Sequence, residues 1–185
     1  MDLESEVLNV RLKRDTVRVA NWIGSDRRRF KQLMALFLHG EYRVTQQSAW
    51  ILGVCYDRYP RLITPWLPAL VKRMQEPDVH VAVKRNVVRI LQCADIPKAL
   101  LGTVVSLCFD YINSYEVPIA VKAYSMTVLA NAAEHEPALE HELKTSLELL
   151  LPSASPGIRS HARMVIERLE KIEKQKIASS KRKRT

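Results

Sequence analysis

Apolar residues fall along this chain in short stretches at helical spacing, cut by proline and glycine. Leu8, Leu12, Val19 and Trp22 share one stripe of a first amphipathic helix. Trp22 to Asp26 is a turn, with Ser25 placed as N-cap of the next helix. In that helix Phe30, Leu33, Met34, Phe37 and Leu38 recur at steps of three and four, and Gly40 ends it. From Val44 to Tyr59 the pattern through Trp50, Ile51 and Val54 predicts a third helix. Pro60 and Pro65 punctuate before its partner, marked by Leu67, Leu70, Val71 and Met74. The same two-part figure returns in Val83, Val87, Ile90 and Leu91, followed by Val104, Leu107 and Ile112. It returns again in Val121, Ser125, Val128 and Leu129, followed by Leu143, Leu147 and Leu150. A last helix carries Ala162, Val165, Ile166 and Leu169. No strand-like alternation persists, and five glycines are few for a sheet protein.

The figure has a fixed step. Val54, Leu91, Leu129 and Ile166 stand 37, 38 and 37 residues apart. Polar markers keep the same step: Glu41, Asp78 and Glu116, with Ser153 in the fourth place. Six residues after each comes Gln47, Lys84, Lys122 and Arg159. One supersecondary unit stacked about four times predicts an all-α, right-handed α-solenoid of helical hairpins, with an N-terminal helix ahead and a C-terminal capping helix behind. A carboxylate in one turn and a cation at the next helix start form a structural ladder, whose expected task is to fix stacking register. Residues 1–176 read as one domain, and 177–185 as a basic, disordered tail.

An acid in the turn between helices, with Lys or Arg six residues on, resembles HEAT repeats. Pro77-Asp78-Val79-His80-Val81-Ala82-Val83-Lys84 and Glu116-Val117-Pro118-Ile119-Ala120-Val121-Lys122 carry the pattern, and Pro156-Gly157-Ile158-Arg159 matches it in part. The resemblance spans roughly residues 41–169. It implies an armadillo-type helical fold and no particular activity. The step is a little short of the roughly 40–47 residues usual for such repeats. Gln47 and Ser153 depart from the expected charge at the two ends, as capping copies do.

Charge adds a second layer. The net charge of +9 splits into a basic 1–90 (16 Lys/Arg, 9 Asp/Glu), an acidic 91–150 (3 and 8) and a basic 151–185 (10 and 3). Such asymmetry fits a polyanionic partner, or an acidic hairpin pairing with a basic tail. Arg27, Arg28 and Arg29 stand in the first turn of a helix and oppose its dipole, which makes them a candidate anion site. Lys72, Arg73, Lys84, Arg85 and Arg89 form a second basic cluster. On inner helices, which line the concave side of such solenoids, the positions equivalent to Arg85 and Arg89 are Ser48 and Leu52, Ala123 and Thr127, Ser160 and Met164. A nucleic-acid groove would carry cations on several repeats.

Catalytic and metal signatures are not found. Cys55, Cys93 and Cys108 form no CxxC pair and read as buried free thiols. His135 and His141 flank Pro137 and do not share a helix face. Trp22, Trp50 and Trp66 read as packing residues. AlkD-type DNA glycosylases, which have a HEAT-like build, use tryptophans and an aspartate in a basic cleft. Asp95 and Asp110 form no such constellation with these tryptophans. No signal peptide, membrane-length apolar run or cofactor motif appears, and cytoplasm is the expected compartment. In a eukaryote Lys181–Arg184 would read as a nuclear address. The expectation is a non-enzymatic scaffold that binds another protein. The alternative is a nucleic-acid-binding protein, with glycosylase activity as a minor branch of it.

Overall fold

The computed structural model describes residues 2–182, with side-chain environments for all of these but 137 and 176–182. Helices account for nearly all of it, and no strand occurs among the described residues. The chain forms two compact units, Met1–Leu100 and Leu101–Thr185.

In the first unit α1 (Leu3–Leu8) and α2 (Lys13–Ile23) replace the single N-terminal helix expected from the stripe. The break has a local cause. The Asp15 carboxylate accepts from the backbone N–H of Arg11 at 3.1 Å and of Leu12 at 2.9 Å, so α2 starts afresh there. Leu12 is exposed as a result, while Val7, Val10, Val19 and Ile23 are fully buried. Gly24 ends α2 with φ of 55°, a conformation that costs glycine nothing. The next N-cap is Asp26, not Ser25. Its carboxylate accepts from the N–H groups of Arg28 and Arg29, and these bonds hold its pKa below the usual carboxylate value. An ionised Asp outranks a Ser hydroxyl here because it also complements the helix dipole.

Helix α3 (Arg27–His39) buries Phe30, Leu33, Met34 and Phe37. Helix α4 (Tyr42–Arg58) is the centre of the unit, with α1, α2, α3 and α7 (Val81–Leu91) packed against it. A short helix α5 (Pro60–Ile63), a 3-10 turn (Thr64–Trp66) and α6 (Leu67–Met74) supply the outer side, with prolines at first-turn positions where no N–H is needed. Helix α8 (Lys98–Asn113) follows and extends past Leu100.

In the second unit α9 (Ile119–His135) packs against both α10 (Pro137–Leu150) and α11 (Pro156–Arg182). Helix α11 continues through Arg182, into the stretch expected to be tail; residues 183–185, with Lys183 and Arg184 of the basic run, lie outside the described residues. Of the four equivalent core positions, Leu91 and Leu129 are buried and Val54 and Ile166 half-buried.

Gly40 shows how tightly α3 turns into α4. A Cβ there would lie 2.7 Å from Val44 Cγ1 and would also meet the Leu36 carbonyl. Gly102, inside α8, has nothing near such a Cβ. Gly40→Ala is expected to destabilise the protein by about 1–3 kcal/mol, and Gly102→Ala to stabilise it by about 0.5–1 kcal/mol. Denaturant midpoints of the two variants check this, and equal shifts would contradict the close approach at Gly40.

Candidate functional site

Arg89 leaves α7 and crosses Gly53 on α4. Its guanidinium donates to the Gly53 carbonyl at 3.4 Å and to both Asp57 oxygens, at 2.8 and 2.6 Å. Gly53 makes room, since a Cβ there would sit 3.1 Å from the Arg89 Nη1. Gly53 and Asp57 are one turn apart, so a single arginine reads a carbonyl and a carboxylate on the same face. The cation also lies near the C-terminal end of α4, where the dipole favours it. The second unit repeats the device. Arg168 on α11 donates to Glu134 at 2.5 and 3.1 Å and to Asn131 at 2.8 Å, at the C-terminal end of α9. Lys144 of α10 pairs with Glu170 of α11 at 3.4 Å. Charge thus crosses between α11 and the other two helices in both directions, Arg168 to Glu134 and Lys144 to Glu170.

The ladder residues take their places at the helix starts. Glu41 is the N-cap residue of α4, and Asp78 and Glu116 lie in the turns before α7 and α9. These three carboxylates are exposed. The Lys122 ammonium lies over the Tyr115 ring, 5.9 Å from its centre. Arg159 donates to the carbonyls of Leu151 and Ala154, closing the 3-10 turn Leu151–Ser153 before α11. Gln47 and Lys84 are half-buried on α4 and α7.

The candidate anion residues divide sharply. Arg29 is spent: it donates to the Trp22 carbonyl at 2.5 Å, lies 4.5 Å over the Trp22 ring and faces Asp26. Arg73 is largely buried against Glu76. Arg27, Arg28, Lys72 and Arg85 are exposed. Helix α3 carries no acidic residue along its whole length. Ser48 and Leu52, expected on a concave surface, are fully buried. They cannot line a groove, because α4 is closed over on that side. At the next equivalent pair in the second unit, Thr127 meets the His161 ring at 3.1 Å.

Cys55 and Cys108 are buried, and burial pushes both thiols up to about 12. Cys93 departs from expectation and is exposed. It follows the C-terminal end of α7, where the chain leaves the core. There it lines a cleft of about 280 Å³ with Tyr56, Arg61, Thr64, Leu67 and Asp95. Burial, helped by the charges of Cys93, Asp95 and Asp57, raises the pKa of the Tyr56 phenol. Nothing in the sequence period announced this cleft, because its walls come from the ends of helices.

No group of three His, Cys, Asp or Glu side chains suited to a metal ion occurs among the described residues. His135 and His141 are exposed, and Trp22, Trp50 and Trp66 half-buried. No helix among the described residues is long and apolar enough to cross a membrane.

Paired helices repeating at a near-constant step agree with a family model. The model for the HEAT repeat domain matches residues 5–169. The chain belongs to the HEAT repeat family. No curated protein and no solved structure matches it. HEAT repeats generally mediate protein interactions and act as non-catalytic scaffolds. In this HEAT repeat protein the match reaches well upstream of Glu41, taking in most of α1 and all of α2 and α3.

Two tests follow from the contacts between inner helices. A double-mutant cycle on Arg89→Ala and Asp57→Ala is expected to give a coupling of about 1 kcal/mol, the upper end for a half-exposed pair with bidentate geometry. Urea titrations at low and high salt check it, and zero coupling would remove the bridge from the account of stacking. The second test concerns His80, whose Nδ1 accepts the Ala82 N–H at 2.9 Å and whose ring meets Tyr42 edge-on at 4.6 Å. Only the neutral ring can accept this bond. Burial, with the Arg85 charge adding to it, lowers the His80 pKa, and burial lowers that of His161. Both groups contribute fully above about pH 6.5. Their contribution is lost as pH falls from there through the folded-state values. His80→Asn keeps an N-cap acceptor and is expected to lessen the loss of stability below about pH 6.5, with the His161 share remaining, and without loss at about pH 8.

Proposed function

We propose that this chain is a non-catalytic scaffold whose helical surface binds another protein. The observation that carries it is how its inner-helix positions are used. Ser48 and Leu52 are sealed in the core, and Arg89 is tied to Asp57. A nucleic-acid groove needs free cations on successive inner helices, and these positions do not supply them. The residues left for a partner are exposed apolar ones, among them Tyr42, Val81, Ile119 and Met164. Val81 and Ile119 are the same position in successive repeats, 38 residues apart. An apolar residue kept exposed at a repeated position fits a protein interface. The binding body is residues 1–176, in the cytoplasm, and 177–185 is an appendage to it.

A second reading has its own support. Arg27, Arg28 and Lys31 stand exposed on the acid-free α3, with Lys72 and Arg85 exposed on α6 and α7. These exposed cations suit a polyanion.

One experiment separates the two. A chain truncated after residue 176 is expected to keep its fold and its partner. Binding to a fluorescent DNA or RNA duplex is expected to be weak at 50 mM salt and absent at 200 mM. Tight duplex binding whose logarithm falls linearly with log salt, and which Arg27→Glu/Arg28→Glu abolishes, would reverse the order of the readings.

A further inference from the structure

The cleft beside Cys93 has the features of an anchor pocket. Its apolar lining comes from buried Ile63 and Leu67, with Pro60 and Ala94 also among the walls. Two charged side chains of opposite sign line it, Arg61 from α5 and Asp95 from the turn after α7. Both are exposed, and neither has a hydrogen bond or ion pair to another described residue. In the same unit Arg89, by contrast, is already held by Asp57. The volume, about 280 Å³, lies just under the roughly 300–1,000 Å³ of small-molecule pockets. That size suits one large side chain better than a cofactor.

We propose that this cleft receives a single aromatic side chain bearing a hydrogen-bond donor, a tyrosine or tryptophan, from a partner protein. The ring would lie on Pro60, Ile63 and Leu67. Its O–H or N–H would donate to the Asp95 carboxylate, and the Arg61 guanidinium would meet the ring face. The polar walls decide the class of anchor. A leucine or phenylalanine would cover the apolar lining and displace water from Asp95 without offering it a donor. An acidic side chain would be drawn by Arg61 and repelled by Asp95. An aromatic ring with a polar tip satisfies all three surfaces, and such residues dominate the binding energy of interfaces. The inference rests on the protein-binding reading and names the chemistry of its partner.

Cys93 supplies the test, since Cys55 and Cys108 are buried and it alone of the three thiols is exposed. Peptides are selected on the full chain from a random display library. Enriched peptides are expected to share a tyrosine or tryptophan. Alkylating Cys93 with fluorescein maleimide should weaken them at least tenfold, as should Thr64→Trp, which fills the cleft from an exposed rim position. Asp95→Ala should bring a tyrosine peptide and its phenylalanine analogue to equal affinity, from a preference of about tenfold in the parent. Circular dichroism and melting of each form show whether the fold is intact. Peptides that bind the alkylated protein undiminished would overturn the cleft inference and leave the scaffold reading standing. Enriched peptides without an aromatic residue would overturn it also. If no peptide is enriched, and N-acetyl-L-tryptophanamide does not slow maleimide labelling of Cys93, the inference fails; the partner-retention experiment then judges the scaffold reading separately.

Discussion

A helical hairpin carries more apolar surface than its two helices can hide from water, and stacking against a neighbour is what removes the excess. Helix α4 bears this constraint most heavily. Ala49, Ile51, Leu52 and Cys55 are all fully buried, and they point to different sides of the same helix. No single partner could cover them, so α1, α2, α3 and α7 all close on α4. The N-terminal helices therefore act as a lid on α4. That lid explains why an inner helix, which in such folds offers one face to a concave surface, here offers none at Ser48 and Leu52.

Burial fixes which helices meet, and polar contacts fix how they slide. Each fully buried Leu, Ile or Val contributes roughly 1.5–3 kcal/mol, so the core of either unit far outweighs any ion pair. Apolar surfaces are non-directional, however, and a slip of one helical turn, about 5.4 Å, would keep much of the burial. Such a slip would carry Arg89 off Asp57 and Arg168 off Glu134. The arginine bridges are worth little as stabilisation and more as a choice among registers. Their placement at the C-terminal ends of α4 and α9 adds the dipole to the same choice.

The step of 37 and 38 residues was visible in the chain because turns and core positions recur together. It placed the starts of α4, α7, α9 and α11 to within a few residues, since each follows its marker at Glu41, Asp78, Glu116 or Ser153. The break between α1 and α2 was hidden. Leu8, Leu12, Val19 and Trp22 keep helical spacing across it, and only the reach of Asp15 back to the Arg11 and Leu12 N–H groups interrupts the helix. Ser25 and Asp26 are both good caps, and one residue of register decided between them. Partners such as Arg89 and Asp57 lie 32 residues apart, beyond any local pattern. Cys93 looked like its two buried counterparts, because composition does not tell a thiol inside a helix from one just past its end.

Net charge proved a poor guide to what this molecule can offer a partner. Arg29, Arg73, Arg89 and Arg168 all count toward the +9, yet each is turned onto a carboxylate of its own chain. A guanidinium held this way has already exchanged water for a fixed acceptor, and a ligand would have to break that bond before making its own. Only unspent groups are available at no such cost. In the first unit these include cations along α3 and the opposed pair Arg61 and Asp95 at the cleft. The first set attracts negative charge from a distance without selecting a shape. The second, set beside an apolar lining, selects a shape with little pull at long range. Association steered by the one and locked by the other would separate on-rate from specificity, because long-range steering is screened by salt while a buried anchor is not.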